Sequence, residues 1–343
     1  MKKNKIIISD VSLRDGNHAV EHTISKDIIK NYCKLIDKTN VKIVEVGHGN
    51  GLGASTLSIG RSLISDELAL KTARKFLKNS KLSVHSIPGF SRIDDLKMAM
   101  DCGVDIFRIG TNATEIDTTF TQIKFCNNNN VEVWGVLMMA HLVYNKKKDY
   151  LKKIKYLVDL GVKTIIIMDS AGIFLPNDIH EIFLNIKRKF KIRLGFHGHN
   201  NFGTAVWNSV AAIKNGATII DASVKGFGAG AGNTPMDILI TVLHKINFKT
   251  NVKLNEIYEL AKIFPGFFRN KKIKYKNPYA EPKNIMSANY GLFSGFASKV
   301  DYYSNKFKLN DIEAFRSIGE KKLVAGQEDL IFNVLYNLKN KKK

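Results

Sequence analysis

The chain has 343 residues, 44% hydrophobic and 24% charged, with only 6 prolines. That is long enough for one large domain plus a smaller one, and no apolar run approaches the length needed to cross a bilayer. Its 53 basic and 31 acidic residues leave a net charge of +22, which raises nucleic-acid binding as a class. The lysines are scattered in clusters at Lys2–Lys5, Lys146–Lys148, Lys271–Lys276 and Lys341–Lys343. No aromatic-interleaved basic face or known nucleic-acid signature accompanies them, so attraction of anionic substrates is the better reading.

Ile6–Ile8 is too short for a signal-peptide core. Cys33, Cys102 and Cys126 are odd in number and contain no CxxC pair. We expect a cytoplasmic protein whose thiols are small buried hydrophobes.

In chain order, short β-branched runs alternate with amphipathic stretches. Strands are expected at Lys5–Ser9, Lys42–Val46, Leu82–Ser86, Ile106–Ile109, Glu132–Met138, Thr164–Met168, Arg193–His197 and Thr218–Asp221. Helices are expected among others at Lys26–Lys38, Arg92–Cys102, Tyr150–Leu160, Asp178–Phe190 and Ala205–Asn215, several of them closed by a glycine. Eight strand–helix repeats predict a (β/α)₈ TIM barrel of class α/β. A doubly wound sheet is the alternative, but it would place a Gly-rich turn after strand 1, where this chain has the polar loop Asp10–His18. Beyond residue 250 only helices are expected, at Lys253–Phe264, Glu281–Ser294 and Gln327–Asn337, entered through the Pro/Lys/Tyr-rich stretch Phe264–Pro282. The predicted division is a catalytic barrel, 1–250, and a helical C-terminal domain, 251–343, for partner docking or oligomerisation.

Active sites of such barrels lie at the C-terminal ends of the strands. Here those ends carry Arg14-Asp15-Gly16-Asn17-His18, Glu45-Val46-Gly47-His48, Asp169-Ser170 and His197-Gly198-His199. Residues i and i+2 of a strand share a face, so His197 and His199 look into one cavity. Two imidazoles with a carboxylate suit Mn²⁺, Fe²⁺, Co²⁺ or Zn²⁺, and Asp15 is the candidate third ligand. Arg14 beside it would stabilise charge growing on an enolate. The glycine-rich loop Gly226–Asn233 lacks GxGxxG spacing; we read it as a tight loop with Asn233 facing the site.

The stretch Ile8-Ser9-Asp10-Val11-Ser12-Leu13-Arg14-Asp15-Gly16-Asn17-His18-Ala19 resembles the opening of 4-hydroxy-2-oxovalerate aldolases, members of the LRDG-type metal-dependent barrel lyases. Val44–Gly49, Leu137–His141, Met168–Ser170, Gly228–Asn233 and Val324–Leu330 resemble them too, so the likeness spans nearly the whole chain. It implies a class II pyruvate aldolase that splits a 4-hydroxy-2-oxoacid into pyruvate and an aldehyde, or condenses them. The implied cofactor is a divalent metal, Mn²⁺ by preference, with Mg²⁺, Co²⁺ or Zn²⁺ as alternatives, held by Asp15, His197 and His199. Arg14 would polarise the 2-oxo group, Ser170 would help hold the substrate carboxylate, and His18 would be the base for the 4-hydroxyl. The resemblance also implies an acylating aldehyde dehydrogenase as partner, and an oligomer is compatible with it.

Two departures concern the substrate. The family's LLLPG is His85-Ser86-Ile87-Pro88-Gly89 here, and Phe293 stands where the family has a tyrosine in its GVYSSF stretch. His85 and Phe293 are therefore expected to shape the aldehyde half of the pocket. Competing readings are a Claisen-type acyl-CoA condensing enzyme or 3-hydroxyacyl-CoA lyase on the same barrel, and a non-catalytic or nucleic-acid-binding barrel.

Overall fold

A computed structural model describes residues 5–144, 147–269 and 281–341. Eight parallel strands close into a barrel in sequence order: β1 Ile7–Leu13, β2 Ile43–Val46, β3 Lys81–Ser86, β4 Ile106–Asn112, β5 Glu132–Met138, β6 Thr164–Asp169, β7 Arg193–Gly198 and β8 Ala217–Ala222. β8 pairs with both β7 and β1, which completes the ring. The helices between strands form for local reasons. In Lys26–Ile36 the buried residues Ile28, Ile29, Tyr32, Cys33 and Ile36 form one stripe, and Ser25 Oγ accepts the Ile28 N–H at the N-cap.

Side chains alternate along each strand. Val44, Leu82, Val84, Phe107 and Ile109 face outward into the core shared with the helices. Ile43, Ile106, Trp134, Ile166 and Ile219 face inward and plug the barrel. Two residues further along, the inward positions of β2, β4 and β8 are charged: Glu45, Arg108 and Asp221, all at most 1% exposed. The metal-ligand candidates lie just above them.

β1 continues to Leu13, beyond the expected end at Ser9. The polar residues that suggested a loop satisfy one another inside the protein. Asp10 Oδ1 accepts the Ser12 N–H at 2.9 Å and the Ser12 hydroxyl at 2.6 Å, and Oδ2 accepts Tyr32 OH at 2.7 Å. A register shift between Asp10 and Leu13 re-aims the strand end.

After Ala222 the described residues form no further strand. Helix Leu254–Ile263 still packs in the barrel's shell through Ile257 and Leu260. The expected helix over Glu281–Ser294 ends at Asn289, followed by Gly291 at φ 69°. Helices Pro282–Asn289, Ala297–Phe307, Asp311–Glu320 and Glu328–Asn340 build a second core around Phe296, Val300, Phe315, Ile318, Ile331 and Leu335, which reaches the barrel at Met139. The lysine clusters fall wholly or partly outside the described residues, as does most of Phe264–Pro282. All three cysteines are free and buried. Among the described residues no helix is long and apolar enough to cross a membrane.

Candidate active site

Asp15, His197 and His199 meet at the mouth of the barrel. Each offers a ligand atom within 4.8 Å of the other two, and all three residues are buried. His197 Nε2 lies 4.0 Å from Asp15 Oδ2. His197 Nε2 and His199 Nδ1 have no hydrogen-bond partner, an arrangement that costs free energy unless an ion or ligand meets them. His197 Nδ1 donates to Asp221 Oδ2 at 3.0 Å, and that bond leaves the Nε2 lone pair facing the cluster. Burial pushes His199 down to about 4, so its imidazole is neutral and able to coordinate. Burial opposes ionisation of Asp15, but the adjacent Arg14 guanidinium holds its carboxyl well below the usual range. The residues present fit a divalent cation.

The loop after β8 folds back to lock Asp15. Asp15 Oδ1 accepts from Asn233 Nδ2 at 3.0 Å and from the Ala229 N–H at 3.1 Å. A Cβ on Gly228 would run into Asn233 and Asp15, so only glycine fits there. Asn233 faces the site as expected from the sequence.

Arg14 donates through Nη1 to Asp15 Oδ2 at 2.6 Å and to Gly49 O at 3.2 Å, while Nη2 has no partner. Its Nε lies 3.4 Å from Glu45 Oε1. A 3₁₀ turn over Asp15–Val20 carries three residues per turn, so His18 eclipses Asp15 on the same side. His18 is half-buried, its basicity lowered by burial. Its ring stands 5.1 Å from His22 and 6.5 Å from Phe293, edge-on to both. His22 in turn stacks on His48 at 3.6 Å. A cavity of about 400 Å³ opens here, lined by His18, His22, Asn50, Ile59, Phe293 and Glu328 among others.

Ser170 is fully buried, and its Oγ accepts the Met139 N–H at 3.0 Å. The hydroxyl proton stays available. His85 points inward from β3, 2% exposed, with Nδ1 lying 3.9 Å from Glu45 Oε1 and making no hydrogen bond. Burial first, then Arg14 and Arg108, hold His85 well below the ordinary histidine range. Its neighbour Ser86 faces the other way, bonded to Ser91 and Gln122. Asp169 is likewise turned from the site and accepts the Ile173 and Phe174 N–H groups.

Sequence reasoning left Arg108, Asp221, Asn201 and His22 without roles. Asn201 ties three loops to the C-terminal segment: Nδ2 donates to Ala171 O and Ser294 Oγ, and Oδ1 accepts the Ala231 N–H. A charge at an inward position of an otherwise apolar strand was the available signal for Arg108 and Asp221, because buried charges need partners.

The fold and this constellation define a metal-dependent carbon–carbon lyase on a (β/α)₈ barrel. The HMGL-like family matches residues 5–264, and a DmpG-like communication domain matches residues 278–340. The 4-hydroxy-2-oxovalerate aldolase of Pectobacterium atrosepticum is 41% identical over 97% of this chain and 96% of that protein. The one from Spirochaeta aurantia is 40% identical over 98% and 97%. The chain belongs to the HMGL-like family and, within it, to the 4-hydroxy-2-oxovalerate aldolases. Neither the acyl-CoA nor the non-catalytic alternative is favoured by these relatives. Among solved structures, the N-terminal domain of a putative aldolase from Bacteroides vulgatus superposes with TM-score 0.73 at 22% identity, covering 88% of this chain and 98% of that one. The carboxyl transferase domain of Rhizobium etli pyruvate carboxylase, with 3-hydroxypyruvate, gives 0.84 at 13% identity over 99% and 61%. These two likenesses concern the fold alone.

Proposed function

We propose that this chain catalyses the reaction 4-hydroxy-2-oxoacid ⇌ pyruvate + aldehyde, with Mn²⁺ as the ion held by Asp15, His197 and His199. One observation carries this reading: Arg14 Nη2, His197 Nε2 and His199 Nδ1 are buried polar atoms without partners, gathered at the end of the barrel where His18 borders a cavity. A divalent ion in this position supplies a Lewis acid for the 2-oxo group.

The chain's own groups supply the rest. Arg14 Nη2 is the free donor toward the 2-oxo oxygen, where charge grows as the C3–C4 bond breaks. Ser170 offers its hydroxyl proton to the substrate carboxylate. His18 takes the proton of the 4-hydroxyl as C4 becomes the aldehyde carbon; the enolate left at C3 then takes up one proton to give pyruvate, and condensation runs both transfers in reverse. Burial lowers the basicity of His18, which favours the unprotonated form that can accept. Phe293 and His85 shape the space for the aldehyde.

We assign catalysis to 1–250 and docking to 251–343, with an acylating aldehyde dehydrogenase as the partner that consumes the aldehyde. The match of residues 278–340 to a communication domain supports this. The deciding experiment is pyruvate release from a panel of 4-hydroxy-2-oxoacids with added Mn²⁺, read by coupled lactate dehydrogenase. Release from at least one panel member is expected, and no release from any by metal-loaded protein would overturn the assignment.

A further inference from the structure

Below the metal ligands a single guanidinium crosses the barrel. Arg108, from β4, donates through Nη1 to Glu45 Oε2 at 2.8 Å and to Asp221 Oδ1 at 3.2 Å, and through Nη2 to Asp221 Oδ2. Its side chain is fully buried, as are those of both partners. Each carboxylate then reaches upward to a different part of the site. Glu45 Oε1 lies 3.4 Å from Arg14 Nε. Asp221 Oδ2 accepts His197 Nδ1 at 3.0 Å. Arg108 itself touches neither Asp15 nor His199 by any hydrogen bond in the described residues, and its Nε is without one.

We infer that Arg108 is a positioning residue that fixes two working groups at once, the His197 imidazole through Asp221 and the Arg14 guanidinium through Glu45. The geometry needs a planar fork. Two carboxylates on β2 and β8 are held by one side chain from β4, and an ammonium presents no such fork. Without Arg108 the two buried carboxylates would face each other with less compensating charge. Both would turn, and His197 and Arg14 would lose their orientation together. The inference rests on the proposed aldolase reading, since the Arg14 arm matters only if Arg14 faces a developing charge. The Asp221 arm bears on metal retention whatever the substrate.

The two arms separate experimentally. Full-length Arg108→Lys, Asp221→Asn and Glu45→Gln are compared with the unmutated chain, after circular dichroism has established folding. Two quantities are read: the Mn²⁺ Kd by titration calorimetry, and kcat and KM for pyruvate release at saturating Mn²⁺. Asp221→Asn should weaken Mn²⁺ about 10- to 100-fold, with a smaller loss of kcat once metal is saturating. Glu45→Gln should leave the Mn²⁺ Kd within about twofold and lower kcat by about tenfold or more with KM little changed. Arg108→Lys should do both. A folded Arg108→Lys protein with unmutated Kd and kcat would overturn the inference, as would a lowered Tm alone. If Arg108→Lys fails to fold, the carboxylate variants decide. The stated split supports the inference; equal effects on both readouts, or none, refute it. If the unmutated chain binds Mn²⁺ but releases no pyruvate, the aldolase reading has failed, and the Mn²⁺ Kd of Asp221→Asn and Arg108→Lys decides the remaining arm.

Discussion

The carbonyl oxygen of Ser170 accepts two hydrogen bonds from Ser294, one from its N–H at 3.0 Å and one from its hydroxyl at 2.8 Å. The end of β6 is thereby fastened to the segment that carries Phe293 into the site. Asn201 Nδ2 donates to the same Ser294 hydroxyl at 2.9 Å, so the joint has three members. Ser294→Ala keeps the N–H bond and loses both hydroxyl bonds, leaving Asn201 with one partner fewer. We expect a loss of about 1–3 kcal/mol, read from urea unfolding, together with a raised KM for the aldehyde in condensation. Unchanged stability and KM would mean that the hydroxyl bonds of Ser294 neither stabilise the fold nor place Phe293.

Metal content tests the ligand set directly. Asp15→Asn and His197→Ala should each come off purification with strongly reduced divalent metal by elemental analysis. Chelation of the unmutated protein should abolish pyruvate release and lower Tm, since an ion that binds only the folded state stabilises it. Full occupancy in both variants would remove the assignment.

Arg14 is already committed through Nη1 to Asp15 and Gly49, while its buried Nη2 makes no hydrogen bond. A lysine cannot hold Asp15 and meet a developing oxyanion at once. Arg14→Lys should therefore lower kcat by orders of magnitude, with a smaller change in KM. A change confined to KM would show that Arg14 binds substrate without stabilising the transition state.

Asp10, held by Ser12 and Tyr32, gives a pH test of stability. Burial first raises its carboxyl from the ordinary 3.8 to about 6, against the hydrogen bonds of Ser12 and Tyr32. Between those values the folded chain holds a proton that the unfolded chain has released. Stability therefore falls as pH rises through this window, and the whole loss is present above about 6. Tyr32→Phe removes one donor to the carboxylate. It should destabilise by about 2 kcal/mol at pH 8, and by less at pH 4, where Asp10 is protonated in the folded state. An equal cost at both pH values in denaturant titrations would contradict this account.

His85 faces the barrel interior with its buried Nδ1 unbonded. A polar group in a dry pocket is costly unless a ligand pairs with it. We predict that kcat/KM in condensation with pyruvate favours an aldehyde bearing a polar substituent over acetaldehyde or propanal, and that His85→Leu reverses the order. A clear preference of the unmutated enzyme for simple alkyl aldehydes would exclude this role. Ser86, by contrast, is spent on Ser91 and Gln122, so Ser86→Ala should leave the preference alone.

The parts of this protein legible in its sequence are those written in local periodicity. β5 occupies the expected Glu132–Met138, and the two-residue spacing of His197 and His199 brings both to one cluster, His199 following β7 in a bridge to Asn233. Polarity was the less reliable guide. Asp10, Ser86 and Asp169 drew attention as polar residues near strand ends, yet each is consumed by internal hydrogen bonds. The Arg108 bridge was not legible. It joins positions 45, 108 and 221, and their heights in the barrel depend on the register of a closed sheet. Nor was the stacking of His22 on His48, which depends on how two loops fold toward each other.

Asp15 follows β1, the first strand made, while His197 and His199 sit at the end of β7, with β8 paired between them. The three candidate ligands are thus contributed by both ends of the sheet and become neighbours only when its seam closes. A nascent chain lacking residues beyond 216 would carry all three candidate ligands and still have no place for the ion. Ion uptake should therefore coincide with the last pairing step of folding. A polypeptide truncated before β8 should ignore Mn²⁺, and restoring affinity would require the strand and the Gly226–Asn233 loop together.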